Sequence, residues 1–321
     1  FVSHGYGRTI HGESTHLCIN GFKPFHYIER PKEMNISQLM IYISQKANER
    51  KYAIEKVSIA KAVPFNYFNA NEKIQYIKVV HKSAWSMRQM MYEFCEPIKY
   101  KGKCVRLHTC EAKLEPLLRF FHVRNVKPCG WIKAKGASEN VEKQSTSILD
   151  YSVNWENVYG IKSEEQCPLK VSAMDIECFS QDLKSFPNAE KGDKIIQIGL
   201  TTNWYNHPDF PNEENKATIV DRWIGVLGGA TGVIPDDCVV KTFKSEKNLI
   251  RGYIRKIVQL DPDVLTGHNI FGFDNEYIWK RAQILKIDSL FAQVHRLLDC
   301  KAKYREIAMK NKLMLITFIS S

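Results

Sequence analysis

The clearest alternation of apolar and polar side chains lies at residues 171–179. Successive side chains of a strand point to opposite faces, so Met174 and Ile176 should be buried together. Asp175 and Glu177 should then share the other face, where two adjacent carboxylates repel each other unless a cation lies between them. The stretch predicts a buried strand with a pair of acids on one side. Because Asp-x-Glu is short, two solvated acids at a strand edge are the alternative.

The rest of the second half predicts helices packed on a sheet. Apolar and β-branched runs indicate further strands at residues 194–200, 218–226, 238–243 and 264–270. Ser245 begins a helix whose apolar stripe ends before Pro262, and Asp274 lies in the first turn of a second helix that runs to about Leu285. This order of elements is typical of a mixed sheet covered by helices, so the predicted fold class is mixed α/β.

The first half is predicted to be rich in strands. Extended segments are expected within residues 6–30 and at 57–63 and 74–81, and helices at 35–49, 83–95 and the first part of 111–132. Ser37 is expected to cap the first of these helices. Methionines at helical spacing predict core packing rather than a binding surface, namely Met87, Met90 and Met91.

Length and charge indicate two domains of different character. The 321 residues suffice for about two domains, which we expect at residues 1–165 and 166–321. The formal net charge of +11 is uneven, because the first part holds 25 Lys and Arg against 16 Asp and Glu while the second holds 21 against 19. This excess favours a polyanion such as nucleic acid as a partner of the first domain, with simple solubility as the alternative.

Basic and aromatic residues are interleaved within residues 111–132. Arg119 and Arg124 stand close in sequence to Phe120, Phe121 and Trp131. Such a mixture can follow a single strand of nucleic acid by ion pairing and base stacking. A fold in which the aromatic rings are buried and the basic groups are solvated is an equally good interpretation.

Cysteine usage and the absence of targeting patterns favour an intracellular protein. The beginning of the sequence lacks the successive regions of a signal peptide, and the apolar run at residues 313–319 is too short to cross a bilayer. Nine cysteines are spread without a C-x-x-C pair, which argues against a disulfide framework and a zinc finger. We therefore expect a protein that is neither secreted nor embedded in a membrane.

Three acids that are distant in sequence are candidates for one metal site. The end of a central strand and the start of a neighbouring helix can meet at one edge of a mixed sheet, which would bring Asp175, Glu177 and Asp274 together. Hard oxygen ligands suit Mg²⁺ or Mn²⁺, and two ions about 4 Å apart could activate water and stabilise the leaving oxygen of a phosphodiester. Asn269 and Phe273 are expected at the rim, where they would hydrogen-bond a sugar and stack on a base.

Several segments carry motifs in a characteristic order. Asp175-Ile-Glu177 is followed by Phe-Pro-Asn-Ala-Glu at residues 186–190, by Asp-Lys-Ile-Ile-Gln-Ile at 193–198, and by Asn269-Ile-Phe-Gly-Phe-Asp274 after the lead-in Asp-Pro-Asp-Val-Leu-Thr-Gly-His. These segments resemble the first two exonuclease motifs of family B DNA polymerases of the delta-type and large-DNA-virus group. Segments at residues 21–25 and 115–121 resemble the amino-terminal domain of the same family.

This resemblance implies a β-rich amino-terminal domain and a ribonuclease-H-like exonuclease domain that removes mispaired 3′ nucleotides in DNA replication. Asp175, Glu177 and Asp274 would be the catalytic ligands of two Mg²⁺ ions, which Mn²⁺ could replace. Asn269 and Phe273 would hold the 3′ end of the primer, and Phe186 would wedge between terminal bases. The implied partners are primer and single-stranded template DNA, dNTP in the full-length protein, and replication accessory subunits, in the nucleus or at a viral replication site.

Other motifs of the family are not found in the sequence. Its third exonuclease motif, Tyr-x-x-x-Asp, would supply a fourth carboxylate, but Tyr277 and Tyr304 are followed four positions later by Arg281 and Ala308. The polymerase motifs are also missing. We therefore expect a fragment that is cut at both ends, that does not polymerise, and whose exonuclease activity is severely impaired. Residues 300–321 follow no pattern that we recognise.

Two other functions remain open from the sequence. A stand-alone 3′–5′ exonuclease would use the same metal chemistry but should bring its own fourth acid. An inert single-stranded nucleic-acid-binding module would depend on the basic first half. Its binding should be sensitive to salt and should survive the loss of Asp175 and Asp274.

Overall fold

A computed structural model describes residues 2–63, 73–210, 218–291, 294–298, 302–303 and 319–320. Tyr304, Ala308 and most of residues 300–321, in which no sequence pattern was recognised, lie outside these ranges. None of the helices in the described ranges combines the length and the apolar character that crossing a membrane requires.

Strands follow one another in runs that helices separate along the described chain. The strands of the first part are β1 (Ser3–Arg8), β2 (Ser14–Asn20), β3 (Phe25–Glu29), β4 (Ile54–Ala62), β5 (Ile74–His81), β6 (Ile98–Tyr100), β7 (Lys103–Val105), β8 (Thr109–Cys110), β9 (Ile132–Ala134), β10 (Ser138–Glu139), β11 (Leu149–Asn154) and β12 (Val158–Gly160). Those of the second part are β13 (Leu169–Phe179), β14 (Lys194–Tyr205), β15 (Thr218–Leu227), β16 (Cys238–Phe243), β17 (Val264–Thr266), β18 (Ala302–Lys303) and β19 (Ile319–Ser320). The helices are α1 (Ile36–Glu49), α2 (Ala84–Glu93), α3 (Pro116–Arg124), α4 (Glu246–Leu260), α5 (Asp274–Ile284) and α6 (Asp288–Phe291), with a 3₁₀ turn at Trp155–Asn157.

The chain divides into two compact units. The first comprises Phe1–Gly5, Leu17–Ser138 and Ser152–Ser163, and the second comprises Tyr6–His16, Glu139–Tyr151 and Glu164–Ser321. The main division lies close to the expected boundary after residue 165. Two short segments at residues 6–16 and 139–151 nevertheless join the second unit, which the sequence did not indicate.

The first unit is built on an antiparallel sheet of order β4-β5-β3-β8. Both α1 and α2 pack against one face of this sheet, in a core that includes Ile28, Ile77 and Leu39. The methionines of α2 are buried, as predicted from their spacing, and Met90 belongs to this core. Asn35, rather than the predicted Ser37, caps α1, because Asn35 and Gln38 form a reciprocal capping box.

The basic and aromatic residues of α3 serve the fold of this unit. Phe120 is 2% exposed, and the half-buried guanidinium of Arg124 donates hydrogen bonds to the backbone oxygens of Glu156 and Val158 at 2.7 and 2.8 Å. Arg119 is also buried and forms an ion pair with Glu111. Phe120 therefore lies inside, as one of the two interpretations of this segment expected, whereas Phe121 and Trp131 are half-buried and the two arginines are held by the protein instead of being solvated.

The second unit contains the predicted mixed sheet, in the order β16-β15-β14-β13-β17. β13, β14 and β15 run antiparallel, whereas β17 is parallel to β13 and β16 is parallel to β15. The fold class expected from the sequence is therefore confirmed. β13 is a central strand, and β17 beside it leads directly into the segment that ends at Asp274.

Helix α4 covers this sheet because its apolar stripe is continuous. Ser245 caps the helix as predicted, and its side chain accepts a hydrogen bond from the backbone of Asn248. Leu249, Ile250 and Tyr253 are at most 1% exposed and pack with the buried residues of β13, β14 and α5. Full burial of a side chain of this size contributes about 1.5–3 kcal/mol, so this helix fixes the sheet on which the candidate site lies.

A cluster of charges fixes the start of β17 within the second unit. Asp263 accepts hydrogen bonds from the Arg8 guanidinium at 2.5 Å and from the backbone nitrogen of Lys170 at 2.8 Å. Arg296 donates to both Asp261 and Asp263, at 2.6 and 2.8 Å. These half-buried pairs explain why residues 6–16 belong to this unit, and they hold β17 in place against β13.

Candidate active site

The two acids of β13 lie on the face that the alternation predicted. Asp175 and Glu177 are exposed, whereas Met174 and Ile176 are 3% and 6% exposed. The register places Gly199 of β14 directly opposite Asp175, and a Cβ added to this glycine would meet nothing within 4 Å. Residues directly opposite on an antiparallel pair share a face, so the neighbour of Asp175 on β14 leaves open space beside its carboxylate.

The strand is irregular where it leaves the site. The pairing of β13 with β14 shifts register between Glu177 and Cys178. An irregularity of this kind bends a strand and re-aims its side chains, and such irregularities are common next to active sites. Glu177 is therefore the last acid of β13 before the strand direction changes.

Asp274 lies at the start of α5, where the sequence placed the beginning of a helix, and it interacts with Asp175. It is the first residue of α5 and is 2% exposed. Its Oδ1 accepts a hydrogen bond from the backbone nitrogen of Ile176, at 3.2 Å, between the two acids of β13. Burial raises the pKa of Asp274, and the negative charge of Asp175 raises it further, against the lowering effects of two backbone hydrogen bonds and of His268.

A close contact between backbone segments makes this approach possible. A Cβ added to Gly267 would lie 2.3 Å from the carbonyl oxygen of Met174, so only glycine allows the segment after β17 to lie so near β13. Asn269 adopts a left-handed conformation with φ of 54°, and its backbone oxygen accepts hydrogen bonds from Gly272 and Phe273 at 2.9 and 3.0 Å. This tight turn carries the chain from the sheet edge into α5.

The carboxylates suit a divalent cation by their chemistry. Asp175 and Asp274 are hard oxygen donors, the charge of Asp175 disfavours ionisation of Asp274, and a cation between them would remove that cost. In the described part of the chain, no group of three or more His, Cys, Asp and Glu side chains lies close enough together to hold a metal ion. The structure thus brings Asp274 to Asp175, while the participation of Glu177 stays a prediction from its place on the same face of β13.

The two predicted aromatic residues are brought together at the rim. Phe186 is 75% exposed, and its ring centroid lies 5.2 Å from that of Phe273, with an interplanar angle of 63°. Phe273 is half-buried and contacts Tyr277 of α5 at 5.3 Å. Asn269 is exposed on the turn that precedes Phe273. The residues that the sequence assigned to the DNA end therefore adjoin the start of α5.

Two glycines and one acid that organise this site were not predicted from the sequence. Gly199 and Gly267 act through the absence of a side chain, and a single sequence does not distinguish them from ordinary strand and turn glycines. Asp193 was quoted only within a motif, yet it is 5% exposed and accepts backbone hydrogen bonds from Gln181 and Asn188. The isolated acid directly before an apolar strand was the one available signal for it.

Comparisons with known proteins agree with the sequence motifs. The family described as DNA polymerase family B, exonuclease domain, matches residues 107–312. The DNA polymerase of Acanthamoeba polyphaga mimivirus is 30% identical over 308 residues, which cover 90% of this chain and 17% of that protein. The DNA polymerase delta catalytic subunits of Plasmodium falciparum and Dictyostelium discoideum are 26% and 24% identical, over 87% and 88% of this chain and 26% of each relative.

A solved structure shows the same fold over most of the chain. The family B DNA polymerase of the hyperthermophilic archaeon Pyrobaculum calidifontis matches with a TM-score of 0.55 and 19% identity, covering 90% of this chain and 32% of that one. The chain spans only 17–26% of the length of the three curated relatives named above. The sequence pattern of the family B exonuclease domain covers more than half of the residues of this chain. The chain therefore belongs to DNA polymerase family B and contains the exonuclease domain of that family.

Proposed function

We propose that this chain acts as the proofreading 3′–5′ exonuclease region of a replicative DNA polymerase. Its reaction would be hydrolysis of the last phosphodiester at the 3′ end of a DNA strand. The observation that carries the proposal is the position of Asp274, which is buried at the start of α5, accepts a hydrogen bond from the backbone of Ile176 in β13, and interacts with Asp175 of the same strand. Family membership gives this pair of acids its chemical context.

Asp175, Asp274 and Glu177 would hold the metal. The exonuclease domain of family B polymerases is generally metal-dependent, and we assign two Mg²⁺ ions to this site, with Mn²⁺ able to replace them. When bound, such ions activate water and stabilise the leaving oxygen. The protein's own part is to keep Asp274 fixed by the Ile176 hydrogen bond and to leave space beside Asp175 at Gly199.

The rim would bind the end of the DNA strand. Asn269 lies on an exposed turn from which its amide can hydrogen-bond a sugar or phosphate oxygen. Phe186 and Phe273 form an aromatic pair on which a terminal base can stack. An unpaired end suits this arrangement because its base is free to leave the helical stack.

The role of the chain within a longer protein belongs to the same proposal. The curated relatives are named as DNA polymerases, and we propose that this chain works as part of such an enzyme, with primer and template DNA, dNTP and replication accessory subunits as its partners. Residues 1–165 would form the amino-terminal domain and residues 166–321 the exonuclease domain. The location would be the compartment of DNA replication, either the nucleus or a viral replication site.

A single-turnover assay tests the exonuclease function. Single-stranded DNA labelled at its 5′ end is mixed with excess protein and Mn²⁺, and the products are separated by length. We expect slow shortening by one nucleotide at a time from the 3′ end, which stops in the Asp175→Ala variant and continues in Asp236→Asn. Asp236 is a suitable control because it is exposed, and within the described residues it makes no hydrogen bond or ion pair.

Other outcomes would contradict the proposal. Internal cuts, or equal shortening by the wild type and the Asp175→Ala variant, would place the activity elsewhere. Complete absence of shortening together with salt-dependent binding that survives the loss of both acids would favour an inert nucleic-acid-binding module instead.

A further inference from the structure

The loop between β13 and β14 is folded around one buried acid. Asp193 is 5% exposed, and its two carboxylate oxygens accept hydrogen bonds from the backbone nitrogens of Gln181 and Asn188, at 3.1 and 2.9 Å. Hydrogen bonds to an ionised acceptor are among the stronger ones in proteins. Because Gln181 and Asn188 lie on the two limbs of the loop, Asp193 ties those limbs together around the segment that contains Phe186.

Helix α5 holds the base of this loop. The Tyr277 hydroxyl donates to the backbone oxygen of Asp193 at 3.1 Å, and Arg281 Nη1 donates to the backbone oxygen of Ala189 at 2.9 Å. Arg281 is in turn fixed by a buried ion pair with Glu246 of α4, with Nε and Oε1 2.8 Å apart. The helix that begins with Asp274 therefore also positions the loop.

The tip of the loop presents an exposed aromatic ring, that of Phe186. Phe273 braces Phe186 from one side, with 5.2 Å between the ring centroids. A third ring inserted between the two would need roughly 7 Å, twice the 3.4 Å spacing of stacked bases. Since Phe186 is 75% exposed, a base is better placed to stack on its free face than to enter the gap.

We propose that Asp193 is a positioning residue that sets Phe186 as a stacking platform for the unpaired terminal base of a single DNA strand. The inference rests on the proposed function and refines its DNA-binding part. Asp193 would not contact the DNA itself, because its effect would pass through the backbone of the loop to Phe186. Tyr277 and Arg281, which do not fit the family's third exonuclease motif, gain a role here as the supports of that loop.

The test uses the whole 321-residue chain and single-stranded DNA with 2-aminopurine as its 3′-terminal base, in EDTA so that no bond is cut. Fluorescence reports stacking of the terminal base, and a titration gives the affinity. Four proteins are compared with the wild type: Phe186→Ala, Asp193→Asn, the double variant, and the control Asp236→Asn. Asparagine keeps one acceptor but turns an amide towards the other backbone N–H, so the loop should loosen without a large change of volume.

We expect Phe186→Ala to weaken binding by about 5- to 150-fold, as the loss of one base–aromatic stack implies. Asp193→Asn should bind the DNA several-fold more weakly than the wild type and show the same altered fluorescence as Phe186→Ala, while Asp236→Asn should bind and fluoresce like the wild type. If Asp193 acts through Phe186, the double variant will bind no more weakly than Phe186→Ala alone. Should Asp193→Asn fail to fold, Tyr277→Phe, which removes the hydroxyl that donates to the backbone oxygen of Asp193, is read by the same criterion.

Additive losses in the double variant, or wild-type affinity and fluorescence in Asp193→Asn, would overturn the inference. A failure of the proposed exonuclease function would give a different result in the same assay. The wild type itself would then bind a strand with a free 3′ end no more tightly than one whose 3′ end is blocked by a hairpin.

Discussion

A pair of buried histidines predicts a strong dependence of stability on pH. His26 of β3 and His81 of β5 are both 0% exposed, and their facing ring nitrogens lie 3.2 Å apart. Burial lowers the pKa of His26 from 6.5 to about 3, with a further contribution from His81, and burial lowers that of His81 to about 4. Both side chains are therefore neutral in the folded first unit at neutral pH.

The sign and size of the effect follow from these values. A group whose pKa is lower in the folded state gives its full stability above the unfolded pKa of 6.5, and this stability is lost as the pH falls through 6.5 towards 4 and 3. Each pH unit below 6.5 costs about 1.4 kcal/mol per histidine. At about pH 5 the loss is therefore about 2 kcal/mol for each and about 4 kcal/mol for the pair, which is a large part of the 5–15 kcal/mol typical of a whole domain.

Urea unfolding of the chain at about pH 7, 6 and 5 measures this loss, with the free energy of unfolding taken from the transition of the first unit. The His26→Gln variant should lose only about half as much as the wild type, because one titrating group is gone. His11→Gln, which removes an exposed histidine, should behave like the wild type. A free energy of unfolding that stays constant between pH 7 and 5, or a loss in His26→Gln as large as that of the wild type, would show that the two buried histidines do not cause the pH dependence.

Three further predictions concern the frame of the site. Gly199→Val should change the stability by no more than about 0.5 kcal/mol, because a strand accepts valine and the space around Gly199 is open. The same substitution should lower the affinity for Mn²⁺ measured by calorimetry. An unchanged affinity would show that the space beside Asp175 is not used. Gly267→Ala should cost about 1–3 kcal/mol in urea unfolding because the new methyl meets the Met174 oxygen, and wild-type stability would show that the two segments are not held so closely. Arg281→Met should cost about 3–5 kcal/mol in thermal unfolding because it leaves the buried Glu246 without its cationic partner. The added substitution Glu246→Leu should recover only part of that loss, because leucine cannot accept the hydrogen bond from the backbone nitrogen of Ile195, and a single variant as stable as the double one would contradict this.

The local sequence pattern was sufficient to predict the strand and the helix that carry the candidate acids. Side chains in a strand must alternate, so the face of Asp175 and Glu177 followed from their spacing alone. The cap at Ser245 and the helix start at Asp274 followed from equally local rules. The wrong cap of α1 was a choice between two neighbouring polar residues, which the reciprocal bond with Gln38 decided in favour of Asn35.

Long-range contacts were beyond the reach of such rules. The hydrogen bond from Ile176 to Asp274 joins residues 98 positions apart, and the ion pair of Arg8 with Asp263 joins residues 255 positions apart. Neither contact produces a periodic pattern in the sequence. The membership of residues 6–16 in the second unit was therefore not predicted. The contact of Phe186 with Phe273 likewise depends on a loop whose fold is set by Asp193 and α5.

The binding of Mn²⁺ to the wild type and to the Asp274→Asn variant shows whether Asp274 is a metal ligand. Asparagine keeps the size of the side chain and an oxygen that can accept the Ile176 hydrogen bond, but it removes the charge. We expect calorimetric titration to show at least about a tenfold loss of affinity in Asp274→Asn and none in Asp236→Asn, since even indirect partners of a metal are commonly worth 10- to 100-fold. Equal affinity of the wild type and Asp274→Asn would contradict the assignment of Asp274 as a metal ligand.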